Sequence, residues 1–594
     1  MQSKKVFKNV LIFVALISVA IGGMWTYNHW QVQRQTNLPV QKLNTSASAG
    51  VVPHHLLAES IIEDFFGYFS AHAKPETIIL LSPDHFSAGN VVGNSFITVQ
   101  TEEQEELGGI RINNTLIKNL SLSLESKKDN KNNLVFNNAS VNLDHGITNL
   151  LPFIKKYFPE SKLAPFLIPA NISLQEAENF AEALNSLALE KSIVIASVDF
   201  SHYLPLNAAQ FHDTKSIRTL VNFEKSNFEN IEVDSWQALF IARAFADFRN
   251  KNYPQIIAHL NSADFSKDPS TSETTSYFSV VFGKQTSQET QISAELAERT
   301  ILFTGDILLD RGVERLMQKK SVFYPFEKIS RFFRGIDIVA GNLEGPINQN
   351  PPNFPDSSLK FAFEPETVAG LTFSNFNLLS LSNNHTCNTG SDGLGQTKEF
   401  LDKANIAYVG DPIQCDKDFL FTKDDIAFLA FNKTFPFNCS DDEIVEIVVQ
   451  AKNSNLNDFL IVIFHWGNEY QTKSSTLQQN LAHRIIDAGA DLIIGHHPHV
   501  VQEIEEYNNK LIFYSLGNFI FDMYFSQETQ QGLVVGAEIY SDKVIYRLFP
   551  IQSQLSQPFL MLPTEADLFL AELANRSSLY LSDSIEQAKI EIAR

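Results

Sequence analysis

Basic charge is in short supply in this chain: Lys+Arg number 46 against 68 Asp+Glu, a formal net charge of -22. That balance excludes a general electrostatic attraction to nucleic acid or to an anionic lipid surface, and leaves room only for a local basic patch. Cysteine is scarcer still. The 3 cysteines, Cys387, Cys415 and Cys439, all fall in the C-terminal half of 594 residues, so neither a disulfide framework nor a CxxC zinc cluster can be built. Any metal must then be held by histidine and carboxylate. Long apolar runs are missing except for one at the N-terminus, and repeats at a solenoid period are missing altogether. With 44% hydrophobic and 19% charged residues, the chain is too apolar for overall disorder and not apolar enough for a polytopic membrane protein.

The one apolar run extends from Val10 to Trp25, behind Lys4, Lys5 and Lys8 and ahead of Tyr27 and Trp30. A lysine bias on one side and an aromatic edge on the other predict a single transmembrane helix within residues 1–30. Ser18-Val19-Ala20 offers a signal-peptide cleavage site, but the run continues through Ile21, Met24 and Trp25, which favours an uncleaved anchor. Either way the bulk is expected outside the cytoplasm. Residues 31–50 and 284–298 are small and polar, as linkers are. They frame two units at 51–283 and 299–552, with 553–594 expected as a helical extension. Both units alternate strand-like runs (TIILLS, SIVIAS, DLIIG, KLIFYS) with segments of helical period such as SLQEAENFAEALNSLALE, which predicts two α/β sandwich domains behind the membrane helix.

Polar motifs follow these runs in the C-terminal unit, where ligands bind in open α/β sheets. ILFTGD ends on Asp306, IDIVAGNLEG offers Asn342 and Glu344, and LLSLSNNHT offers Asn383, Asn384 and His385. FLIVIFHWGNEY offers His465 and Glu469, DLIIGHHPHV offers His496, His497 and His499, and LIFYSLGNFIFD adds Asn518 and Asp522. Carboxylate, amide oxygen and imidazole without thiolate suit Mn, Fe or Zn.

These motifs, with GDILLDRGVERLM and YSLGNFIFD, closely resemble the CapA-type proteins of capsule and poly-γ-glutamate synthesis, from about Thr300 to about Pro550. That family is similar to the calcineurin-like metallophosphoesterases. The resemblance implies an α/β/β/α sandwich and a site for one or two divalent ions among Asp306, Glu344, Asn384, His465, His497 and His499, with His385, Asn384 and His465 as the catalytic set. His385 would donate a proton to the leaving-group oxygen. Whether His496 or His497 is the first ligand of the pair with His499 stays open. Two positions depart from the pattern: no histidine follows Asp306 in a DxH motif, and Asn388 stands where relatives often have Asp.

In the N-terminal unit, VVPHHLLAESII, TIILLSPDHFSAG, NLDHGITNLLPFI, SIVIASVDFSHYLP and FHDTKSI resemble the Memo family (AmmeMemoRadiSam system protein B type), which is similar in fold to iron-binding extradiol dioxygenases. The resemblance implies one pocket lined by His54, His85, His145, Asp199 and His202, with room for one metal. Where that family commonly has a Cys, this chain has Asp234 or Ser235. A thiolate-dependent role is excluded there, whereas His plus Asp suits Fe(II) or Zn.

The expected protein is thus exported and membrane-tethered, a metal-dependent hydrolase or transferase working on a surface polymer or alongside its synthesis machinery. Two alternatives stand beside it. One is a non-enzymatic polymer-binding scaffold with degenerate metal sites; the other is a Memo-like metal-binding oxidoreductase.

Overall fold

The computed structural model describes residues 47–87, 94–100, 102–126, 134–268, 270–284, 296–355, 357–415, 420–435, 439–454 and 459–594. The expected membrane helix at 1–30 lies outside them, as do most of the two linkers. No helix among the described residues is long and apolar enough to cross a membrane. Linker character ends earlier than composition suggests: Ala49 and Gly50 already belong to the first strand, Ala49–Val52, and Glu298 N bonds Ile539 O at 2.6 Å.

The N-terminal half is built on one nine-stranded mixed sheet, so its sandwich consists of helices against a single sheet. Its middle is parallel: Ser192–Ser197 lies between Ala49–Val52 and Thr77–Pro83, and Thr77–Pro83 pairs on with Lys162–Ile168. Thr77–Pro83 and Ser192–Ser197 are buried along their whole length. Central parallel strands are covered on both faces, and this is why they read as unbroken apolar runs. The helix Leu174–Leu187 starts on a reciprocal capping box between Ser173 and Glu176, the pattern S-x-x-E written in the sequence.

The C-terminal half packs a nine-stranded sheet against a six-stranded one. Alternation within strands sets the layers. Ile301 and Phe303 point inward to meet Phe428, Ile461 and Ile494 of the other sheet, while Leu302 faces outward toward Val313 and Leu371 of the helices. On the far side Leu460 and Ile493 pack against Ile444 and Ile485. Residues 553–594 are more than a helical extension. Pro563–Arg576 and Ser582–Glu586 are helices, but Gln557–Leu560 and Lys589–Ala593 both pair with Lys543–Gln554. The last strand alternates exposed and buried residues, a period-two signal within KIEIA that a helical reading overlooks. Scarce cysteine also proves compatible with a single cross-link: Cys415 and Cys439 form a disulfide, and Cys387 is free.

The two halves meet through the helix Leu206–Asn222. Its buried His212, Lys215 and Arg218 reach the segment before strand Ile338–Leu343. His212 Nε2 bonds Phe332 O at 2.8 Å, Lys215 Nζ donates to Ile336 O at 3.3 Å, and Arg218 grips both carboxylate oxygens of Asp337 at 2.8 and 2.9 Å. Phe211 of the same helix joins the outer core of the second half beside Phe549.

Candidate metal centres

Parallel strands deliver the C-terminal cluster to one edge. Asp306 is in register with Asn342 and with Asn518, and His465 with His496, so two sheets end on the same spot. Glu344 is fully buried, and neither carboxylate oxygen has a hydrogen-bond partner. Instead its Oε1 faces His385 Nε2 at 3.7 Å, His499 Nε2 at 3.8 Å and His465 Nε2 at 3.9 Å. These spacings are too long for hydrogen bonds. That of His499 suits a nitrogen and an oxygen converging on a cation, whereas His465 Nε2 and His385 Nε2 are also engaged with Asn384. Glu344, His497 and His499 each offer a ligand atom within 4.8 Å of the others. His497 Nδ1 is buried without a partner as well.

The remaining residues hold this set in place. Asp306 accepts from Asn342 Nδ2 at 2.8 Å and from His497 N at 3.2 Å, with His496 Nδ1 at 3.3 Å and His499 Nδ1 at 3.6 Å. Burial pushes its carboxyl up, but the neighbouring His496, His499 and His465 outweigh that and hold it below the ordinary range. Glu344 is driven well above the ordinary range, by burial and then by the charge of Asp306. Burial pushes His465 well down and carries His497 and His385 to about 4.

A chain of bonds running in one direction orients the catalytic candidates. Asn342 Nδ2 donates to His465 Nδ1 at 3.2 Å, and His465 Nε2 to Asn384 Oδ1 at 2.8 Å. Asn384 Nδ2 then donates to His385 Nε2 at 3.1 Å, and His385 Nδ1 to Asn388 Oδ1 at 3.1 Å. Asn388 Oδ1 is itself fixed by Phe361 N at 2.8 Å. Asn388, an amide where the resemblance leads one to expect a carboxylate, thus still orients His385, though it adds no negative charge beside it. Asn518 Oδ1 accepts from His499 Nδ1 at 2.9 Å, orienting that ring as a ligand's outer partner does.

Asn342, Asn383 and Asn518 stand at strand ends in the sequence, but nothing there signals their holding role. Arg311 is missed entirely: it pairs with Asp522 and lies over the Phe361 ring at 4.8 Å. His497 and His499 adopt φ of +95° and +57°, a left-handed region unusual for side chains this bulky. In that backbone both His497 and His499 stand against the acids, while His496 contacts Asp306.

In the N-terminal half, His54 follows the strand Ala49–Val52, His85 follows Thr77–Pro83, and His145 opens the helix His145–Thr148. Their ring centroids lie 4.9 Å (His54 to His85), 5.1 Å (His54 to His145) and 3.8 Å (His85 to His145) apart. On its other side His54 Nε2 is 3.4 Å from Asp199 and 3.6 Å from Asp234, so two possible ligand groups share His54. Ser235 is the N-cap of the helix Trp236–Phe248, which leaves Asp234 to face the pocket. His202 lines the same cavity of about 580 Å³ but belongs to neither group. His212 serves the interface instead. The residue missed here is Asp144, which accepts from His85 Nδ1 at 2.9 Å and from Ser82 at 2.8 Å; the pair Asp144-His145 was its only trace in the sequence. Burial and the neighbouring His85 and His145 bring His54 down to about 3, and burial raises Asp199 to about 6.

Residues 300–523 match the family model of bacterial capsule synthesis protein PGA_cap, and residues 29–242 that of Memo-like protein. The capsule biosynthesis protein CapA of Bacillus anthracis is 31% identical over 257 residues, 40% of this chain and 62% of that protein. The PGA biosynthesis protein CapA of Bacillus subtilis is 34% identical over 249 residues, 39% of this chain and 66% of that one. The match therefore spans somewhat under two thirds of either relative. A MEMO1 family protein of Caldivirga maquilingensis is 21% identical over 271 residues, 44% of this chain and 91% of that protein.

Proposed function

Because the chain joins a Memo-like domain to a PGA_cap domain, we propose that it is an exported, membrane-tethered protein of capsule or poly-γ-glutamate synthesis whose C-terminal half is a metal-dependent hydrolase or transferase of the metallophosphoesterase kind. The observation that carries this reading is Glu344: a fully buried carboxylate with both oxygens unpartnered and three imidazole nitrogens turned toward it. An uncompensated buried charge is costly and persists where a cation offsets it. Asp306, Glu344, His497 and His499 would hold the ion, with His465 and Asn384 beside them, and Mn, Fe or Zn suits the donor set. When bound, such an ion supplies Lewis acidity toward a phosphoryl or acyl oxygen. The protein's own part is positioning and proton handling: Asn388 and Asn384 hold the neutral His385 ring with its proton on Nδ1, so Nε2 takes up a proton before passing it to the leaving-group oxygen. Phosphoester and γ-glutamyl amide substrates both fit that division of roles. The N-terminal pocket offers His54, His85 and His145, or His54 with Asp199 and Asp234, for one further ion.

Elemental analysis of the full chain, with turnover assays on phosphomonoesters, phosphodiesters and γ-glutamyl peptides, tests this. His385→Ala is expected to keep its metal and lose about 100-fold or more in turnover, the usual share of a proton donor. Loss of metal in that variant would overturn its role, and failure of the wild type to take up Mn or Zn would favour a polymer-binding scaffold.

Support for export comes from the lysine-flanked run at residues 10–25 and from the Cys415–Cys439 bridge, since disulfides persist in oxidising compartments. Protease added to intact cells is expected to digest both halves. Protection lasting until lysis would defeat the topology.

A further inference from the structure

The N-terminal pocket is not closed by its own half. Of the side chains lining it, Arg331 alone comes from the C-terminal half, and Arg331 is also the only arginine or lysine among them.

Packing brings it there. The next residue, Phe332, is buried, and its carbonyl is bonded to His212 Nε2 across the interface at 2.8 Å. Five residues further on, Asp337 is held by Arg218. The backbone carrying Arg331 is thus pinned to the first half on its C-terminal side by buried polar bonds, and such bonds are expensive to break. The guanidinium then rests over the Tyr203 ring, 4.9 Å from its centroid.

Tyr203 itself is out of the ordinary. Its φ is +57° and the residue is 62% exposed, so the cost of a left-handed backbone is not offset by burial of the ring. It lies in the strand Phe200–Leu204, whose pairing with Thr274–Gly283 shifts register twice in succession. Irregularities of this kind re-aim side chains beside sites. Here the outcome is a ring presented beneath Arg331. No ion pair of Arg331 forms among the described residues: its charge is felt by Glu232 and His202, but its fork of donors is left facing the cavity.

The geometry points to a carboxylate-binding site shared between the two halves, in which Arg331 grips the carboxylate of a small ligand held in the N-terminal pocket and Tyr203 is the platform that positions Arg331. The choice of carboxylate over phosphate follows from charge. Asp199, Glu232 and Asp234 line the same cavity and repel a dianion more strongly than a monoanion, for which the one arginine supplies a local contact. The planar guanidinium matches a carboxylate with two parallel bonds. A cavity of about 580 Å³ accommodates a ligand of amino-acid or dipeptide size. The inference stands whether or not the histidines hold a metal, and it makes ligand binding in the first half depend on docking of the second.

Calorimetric titration of the full-length protein with L-glutamate, and separately with inorganic phosphate at matched ionic strength, tests it. Arg331→Ala is expected to weaken glutamate binding about tenfold or more, as loss of a charged bidentate contact does, and to leave phosphate binding unchanged. Arg331→Lys should restore only part of the affinity, because it lacks the fork, and Tyr203→Ala should weaken binding by a smaller factor. Arg331 is exposed, so the melting temperature of both Arg331 variants should match wild type and their binding can be compared directly. Equal glutamate affinity in wild type and Arg331→Ala, absence of glutamate binding by wild type at millimolar concentration, or an equal loss for phosphate would each overturn the proposal.

Discussion

Glu344→Gln is expected to strip the C-terminal site of its metal and, in chelator, to melt above the wild type. The two halves of this result have one cause. Both oxygens of Glu344 lack partners in a fully buried position, so without a cation the protein carries the desolvation penalty of that group, about 1–3 kcal/mol or more for a charge. Burial and Asp306 already drive this carboxyl well above its ordinary range, so the cost without metal is that of holding it charged or keeping it protonated. Glutamine is neutral at any pH, which relieves that cost and the repulsion from Asp306 while the similar shape keeps the packing. For a domain of this size 1 kcal/mol corresponds to a shift of roughly 2–4 °C. With Mn or Zn at saturation the order should reverse, because only the wild type gains binding energy. Asp306→Asn is a less clean version: Asp306 accepts from Asn342 Nδ2 and His497 N, so an amide there breaks bonds as well as removing charge, and should lower stability while losing metal. Calorimetric melts with and without metal check the pair. Retention of full metal by Glu344→Gln, or a lower melting temperature in chelator, would remove the main support for a metal centre.

Asp337→Ala is expected to be the most destabilising single change at the junction of the halves. Asp337 accepts from Arg218 through both oxygens and from Thr300 N at 2.8 Å, with Lys215 Nζ at 3.4 Å. Deleting it leaves Lys215 buried without an anion and Arg218 with Glu224 alone at 3.2 Å, a loss of about 3–5 kcal/mol, and should lower the melting temperature or split one transition into two. The pH dependence has a definite sign. Burial raises the Asp337 carboxyl, but Lys215 and Arg218 outweigh it and hold it below the ordinary range. A depressed carboxylate contributes its stability in full above its unfolded pKa of about 3.9 and loses it as pH falls through the folded value. Wild type and Asp337→Ala should therefore differ most at neutral pH and converge in strong acid. A difference that grows on acidification would contradict the assignment.

How legible this molecule is from its sequence depends on whether a feature is local. Runs such as TIILLS and SIVIAS are legible because a strand buried on both faces needs apolar residues throughout. His54 and His85 could be grouped, although far apart in sequence, because each follows a strand and parallel strands gather their ends on one edge; His145 joins them from the start of a short helix. Other features have no such local signature. His212, Lys215 and Arg218 look like ordinary polar residues of a helix, and only the neighbouring half turns them into a buried clamp. The Cys415–Cys439 bridge joins positions that composition alone gives no reason to pair. Asp144, Asn342 and Arg331 act through partners dozens to hundreds of residues away, and a motif search has no template for an arginine lent to another domain's pocket.

The backbone at His497 and His499 also sets a limit on improving this protein by selection. A residue with φ near +57° or +95° is a position where glycine relieves torsional cost. Glycine there relieves torsion yet empties a buried position, and at His499 it also strips Asn518 Oδ1 of its donor, so any gain in heat tolerance is set against lost packing as well as a lost imidazole. Ancestral or consensus libraries built for robustness should hold both positions constant, since stability and activity trade against each other there.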